Sequence, residues 1–239
     1  MDKRGSHVGV VISFVVFIVF LVFLYSITEP ALNVNKDKQF ILEHLKTELV
    51  KKVSGELIIY SFKIKDKGGL IPSGINCFKI NSGLENFSEM GSIVVGDSGI
   101  IGSKISTDGF LLIDDANPRD KFYKAHYSKE FANNNELNNC EEIISKDYAV
   151  GSLRTEEYIF ESKILNLISE YGKDYDNLKT NLGIPKGSDF SFSFINKDGG
   201  EIKTFDKNLS VNIYAEKIDL NYIDNNANIN KGIINIKVW

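Results

Sequence analysis

Residues 8–27 read VGVVISFVVFIVFLVFLYSI. This stretch of 20 residues carries no charge, and only Gly9, Ser13 and Ser26 interrupt its apolar run. A helix of that length rises about 30 Å, the thickness of a bilayer's hydrocarbon core. Insertion of such a stretch into a bilayer is favoured by roughly 5–10 kcal/mol. The competing readings are a buried helix of a soluble domain and a cleaved secretory signal. A signal expects an apolar region of about 7–15 residues followed by small residues at the cut. Here the run is longer, and its exit, Tyr25 to Pro30, offers no such pattern.

Flanking charge gives the expected orientation. Asp2, Lys3 and Arg4 precede the span, Glu29 follows it, and the next cation is Lys36. Positive residues stay on the cytoplasmic side. The expected placement is therefore a single-pass anchor in the cell membrane, N-terminus cytoplasmic and the bulk extracytoplasmic. The chain has 239 residues and a net charge of −4; the leader contributes +1, leaving −5 beyond the span. That acidic balance argues against nucleic acid as a partner, because phosphate contacts need clustered Lys and Arg. With 19 Gly and 4 Pro the chain is neither collagen-like nor low-complexity. Cys77 and Cys140 are the two cysteines, a candidate disulfide in an oxidising exterior or else two free thiols.

Beyond Pro30 and a polar joint, Asn33 to Lys38, residues Gln39–Val53 read as an amphipathic helix. Ile41, Leu42, Leu45, Leu49, Val50 and Val53 recur there at spacings of three and four. Short strands are expected at Glu56–Ile64, Asn76–Ile80, Ser92–Val95, Gly99–Ile105, Phe110–Ile113 and Phe122–Tyr127. A second helix is expected from Thr155, with Glu156 and Glu157 in its first turn. It would bend or break at Gly172 and end at Gly183 before Pro185. The last fifty residues read as an antiparallel meander: Asp189–Ile195, Glu201–Phe205, Ser210–Ala215, Ile218–Tyr222 and Ile229–Trp239. In the first of these, Phe alternates with Ser as in a half-buried strand. The expected fold class is α+β: a transmembrane helix, an amphipathic helix, then a mainly antiparallel β-sheet head with a second helix. The expected units are a leader (1–5), a span (6–28), a joint and amphipathic helix (29–54) and an extracytoplasmic domain (55–239).

The opening Met1-Asp2-Lys3-Arg4-Gly5, followed at once by Ser6 and the apolar helix, resembles the class III signal of archaeal type IV pilin-like proteins. In that family a basic leader ending in Gly is removed by a prepilin-type peptidase and the apolar helix is retained. The resemblance places the processing signal on Lys3, Arg4, Gly5 and Ser6, with the cut between Gly5 and Ser6. Where many members carry a Glu early in the apolar run, this chain has Val10. The family layout, an apolar helix, an amphipathic continuation and a sheet head, also implies partners: the lipid bilayer, and like subunits bundled through the apolar helix. Two details bear on such bundling. Ser6, Gly9 and Ser13 put small residues on one face, and Phe14, Phe17, Phe20 and Phe23 form a slanting ridge.

Catalytic signals are thin. Gly96-Asp97-Ser98-Gly99 matches the string around the nucleophile of trypsin-like proteases, but no His stands in a suitable context, and a turn between two strands explains it as well. Asp114, Asp115, Asn117 and Asp120 cluster oxygen ligands that would suit an extracellular Ca²⁺, or an Asx turn. His7, His44 and His126 are too scattered for a zinc site. Asn86 and Asn208 head glycosylation sequons. No cofactor motif is present, and no enzyme is expected. The function expected is a non-enzymatic, membrane-anchored surface or filament-associated subunit. The alternatives are a monomeric anchored binding domain and, remotely, an exterior hydrolase using Ser98.

Overall fold

The computed structural model describes residues 6–65, 75–83, 90–132, 136–205 and 212–239, without the side chains of 6–8 and 28–36. Its first element, α1, is one helix of 48 residues, Ser6–Val53. The joint expected at Pro30 and Asn33–Lys38 is therefore absent as a break. An interior proline loses one backbone hydrogen bond and crowds the carbonyl four residues earlier, yet its φ is helical and α1 runs on through Pro30. The flanking residues include no glycine between Gly9 and Gly55 to end it. At the far end no loop intervenes: α1 stops at Val53 and β1, Ser54–Ile64, begins at the next residue.

Twelve further strands follow: β2 (Phe78–Asn81), β3 (Gly91–Gly96), β4 (Gly99–Ile101), β5 (Ser103–Ile105), β6 (Phe110–Ile113), β7 (Phe122–Ser128), β8 (Glu141–Glu142), β9 (Tyr148–Phe160), β10 (Phe190–Ile195), β11 (Glu201–Lys203), β12 (Tyr214–Ile223) and β13 (Ile229–Val238). Two helices, α2 (Glu161–Lys173) and α3 (Tyr175–Asn181), lie between β9 and β10. A nine-stranded sheet has the order β11-β10-β13-β12-β9-β1-β7-β3-β4, and a four-stranded sheet the order β5-β6-β2-β8.

Both sheets are mixed, which corrects the mainly antiparallel expectation. β9 pairs in parallel with β12, and β2 with β8. The reason is connectivity. The chain leaves β9 through α2, α3, β10 and β11 before it returns to the side of β9 as β12, the kind of long connection a parallel pair requires. The terminal strands are not a simple meander either: β10 pairs with its successor β11, but β13 comes in on its other side, so β11 and β12 are not neighbours.

The second helix begins six residues later than expected, at Glu161 instead of Thr155. Residues 148–160 pair with β1 along nearly its whole length, and that ladder outweighs the helical preference of Glu156 and Glu157. A register shift between Tyr60 and Phe62 marks a bulge in this ladder. The Ser61 hydroxyl fills it, accepting from the Ser152 N–H at 2.8 Å, and a Cβ on Gly151 would lie 2.8 Å from that oxygen. The helical stretch breaks two residues beyond Gly172: α2 runs through that glycine to Lys173, and Asp174 caps α3 by accepting from the Asn177 N–H. Gly183 then takes a left-handed conformation, φ 68°. In β10 the serines are buried along with the phenylalanines, unlike a half-buried strand. Thr204 covers this strand, its hydroxyl accepting from the Phe192 N–H and donating to the Phe192 carbonyl.

Two cores result. One gathers Leu42, Leu45, Leu49 and Val53 of α1 with Ile164 and Leu167 of α2, Leu178 of α3, and the inward faces of β10, β12 and β13. The other lies between the two sheets around Ile58, Tyr60, Phe62, Phe78, Leu111, Tyr123 and Tyr127. A smaller cluster of Leu57, Ile59, Phe131, Phe160 and Ile223 sits between them.

Candidate functional site

Helix α1 is the candidate functional element, and its two halves meet different surroundings. Over Gly9–Ile27 it is long and apolar enough to cross a membrane, and none of it is buried against the protein. Phe14, Phe17, Phe20 and Phe23 are all more than half exposed. A Cβ on Gly9 would meet nothing within 4 Å. At about 25 cal/mol per Å² of apolar surface, such a helix is stable only in lipid or against another apolar surface.

The other half of α1 is locked to the head. Leu45 and Leu49 are fully buried. Three polar ties flank that stripe. The Lys38 ammonium donates to the Ser188 hydroxyl at 2.7 Å. The His44 Nε2 lies 3.1 Å from the Leu182 carbonyl. Lys46 pairs with Glu216 of β12, whose hydrogen bond raises the lysine's pKa. The sequence pattern identifies the buried stripe but not these ties, whose partners lie far along the chain.

Of the leader residues, Lys3, Arg4 and Gly5 lie outside the described residues, as do Asn86 and Asn208; Ser6 is the first residue of α1. Cys77 and Cys140 are joined, with their Cα atoms 4.8 Å apart. They stand just before β2 and β8, and beside them the Glu141 N–H donates to the Cys77 carbonyl at 3.1 Å.

The catalytic strings take structural places. Asp97 and Ser98 form the two-residue turn between β3 and β4, closed by the Gly96–Gly99 pair, with Gly99 at φ 106°. His126 sits opposite Ile93, three residues before the Gly96 that closes the Ser98 turn, so about 10 Å of strand separates its backbone from that turn. Ser98 and His126 are not brought together.

His126 is buried, and its Nδ1 has no hydrogen-bond partner among the described residues. Burial, with Lys124 and Arg154 nearby, lowers its pKa to about 4 against an opposing backbone bond at Ile93.

In the acidic cluster, Asp115 is already engaged. Its carboxylate accepts from Lys121 at 2.9 Å, from the Tyr123 hydroxyl at 2.8 Å and from the Asn117 N–H at 2.9 Å. Burial would raise its pKa, but these donors together hold it below the ordinary carboxylate range. Among the described residues no three His, Cys, Asp or Glu side chains gather to hold a metal ion.

No family model, no curated protein and no solved structure matches this chain.

Proposed function

We propose that this protein is a pilin-like subunit held in the cell membrane by α1, with its N-terminus cytoplasmic and its head extracytoplasmic. In this reading it serves as a non-enzymatic surface or filament-associated component. The observation that carries the reading is the unbroken α1: one half apolar and unburied, the other built into the core of the head. Lipid solvates the apolar half before assembly, and like helices replace lipid afterwards. Cutting after Gly5 would remove Lys3 and Arg4, the two cations that hold the N-terminus inside.

The test has two parts. Mass spectrometry of the membrane-bound protein should find a chain starting at Ser6; one still starting at Met1 refutes the processed form. Electron microscopy of cells with and without the gene should show a loss or shortening of surface filaments. Unchanged filaments, with the protein monomeric in detergent, would favour an anchored binding domain instead.

A further inference from the structure

The head is divided in a way its nine-stranded sheet conceals. A helix-backed lobe comprises the packed half of α1, α2, α3 and β10–β13. A two-sheet lobe comprises β1–β9. Their main cores share no residue.

Among the described residues the lobes meet along one seam, where Ile159 of β9 also packs on the helix-backed core and Asn225 of the β12–β13 turn lines a pocket with Ile93, Ile100 and Phe131. Two peptide junctions cross between them, Val53–Ser54 and Phe160–Glu161. Between β9 and β12 only two pairs form, Ile159–Tyr222 and Phe160–Ile223, although the strands have 13 and 10 residues. Ser54 is itself the ladder partner of Ile159, so all three links lie side by side. Away from this seam the strands part: Val150 to Thr155 are exposed without interruption, leaving the outer edge of β9 uncovered by any described strand. The small middle cluster receives one fully buried residue of the helix-backed lobe, Ile223, with Ala227 partly buried beside it.

Among the described residues, the side chain of Lys163 ties the two lobes across the seam. The Lys163 ammonium of α2 donates to the Ser54 carbonyl at 2.6 Å and pairs with Glu130, just beyond β7, at 3.6 Å. Both side chains are mostly shielded from solvent.

We propose that the head is hinged at the row Ser54–Ile159–Tyr222. The two-sheet lobe pivots there as a rigid body, and Lys163–Glu130 is the latch holding the arrangement seen here. The motion needs φ/ψ changes at element ends, adjustment of two ladder pairs and repacking of Ile159, Ile223 and Ala227 at the pivot. Each lobe keeps its own core and, in the two-sheet lobe, its own disulfide. The inference rests on the fold alone and stands whether or not the protein forms filaments.

The test uses the full chain in detergent micelles. Encoded labels at the exposed turn residues Thr107 and Asp198, one on each lobe, report the distance between lobes by single-molecule energy transfer. The expected result is two resolved populations, with Glu130→Gln raising the minor one at least threefold. A single narrow distribution, unmoved by Glu130→Gln, overturns the proposal. Hydrogen exchange separates hinging from general loosening. In Glu130→Gln, amides around Ile159 and Tyr222 should exchange at least tenfold faster, while Tyr60 and Ile234 inside the lobes keep their protection. Equal acceleration at all four positions refutes the hinge.

Discussion

The disulfide offers the sharpest quantitative test of the two-sheet lobe. Replacing both cysteines, Cys77→Ser with Cys140→Ser, removes a crosslink between residues 63 apart. In the chain-entropy account, closing a loop of that size stabilises the folded state by about 4 kcal/mol. There is a local component too. β8 has two residues and holds to β2 by two ladder pairs, while Ile143 just beyond it is buried. Without the crosslink this edge has little to keep it in place, and Ile143 loses its cover. For a domain of this size each kcal/mol moves Tm by about 2–4 °C, so the double variant should melt about 8–16 °C lower. Differential scanning calorimetry of the full chain in detergent, oxidised wild type against the double variant, measures this. Hydrogen exchange should rise first at residues 141–143. A Tm shift under about 2 °C would refute the reasoning, since it would mean that the unfolded chain is already compact around this loop or that the bridge strains the fold by as much as it stabilises it.

Two further outcomes are expected. The folded pKa of His126, about 4, lies below the unfolded value of 6.5. The unfolded state therefore takes up a proton first, and stability falls as pH drops from about 6.5 and stops falling below about 4. The full loss is about 3 kcal/mol at 1.36 kcal/mol per unit. Unfolding free energies from urea titrations at pH 7.5 and pH 4 should differ by about 3 kcal/mol less in His126→Leu than in wild type; an equal drop in both excludes His126 as the cause. Gly91→Ala should destabilise the head by about 1–3 kcal/mol, because the new Cβ would stand 2.2 Å from the Phe131 carbonyl oxygen, a backbone atom that cannot swing aside. Thermal unfolding measures it, and a Tm equal to wild type would show that the 129–132 turn shifts freely.

Elements with a strong local signal were legible from sequence. The apolar span, the Leu42–Leu45–Leu49–Val53 stripe, β6 and the Gly183 stop all express their structure in their own periodicity or backbone needs. The misreadings arise where a distant segment decides. Glu156 and Glu157 favour a helix start on their own, and become strand because β1 lies beside them. The serines of β10 read as a solvent face, yet they are buried, in a strand whose Phe192 backbone is bonded by Thr204 twelve residues later. The parallel pairing of β9 with β12 depends on a long connection through α2, α3, β10 and β11, which no local pattern encodes. Pro30 was misleading in the other direction, because the helix runs on through it despite the lost hydrogen bond. For the candidate site, the apolar half of α1 was visible in composition. Its attachment through Lys38, His44 and Lys46 was not, since each partner lies more than a hundred residues away.

The direct passage from α1 into β1 has a consequence for how this chain tolerates change. A helix turns its side chains by about 100° per residue, and a strand by 180°. At Val53–Ser54 these two phases are joined by a single peptide bond, with no loop to absorb an error. Adding or deleting one residue there would turn the Leu45–Leu49 stripe off its core, or turn Ile58, Tyr60 and Phe62 out of theirs. The phase of α1 and the phase of β1 are thus inherited as one setting, and insertions that loops elsewhere would accommodate have no room at this joint.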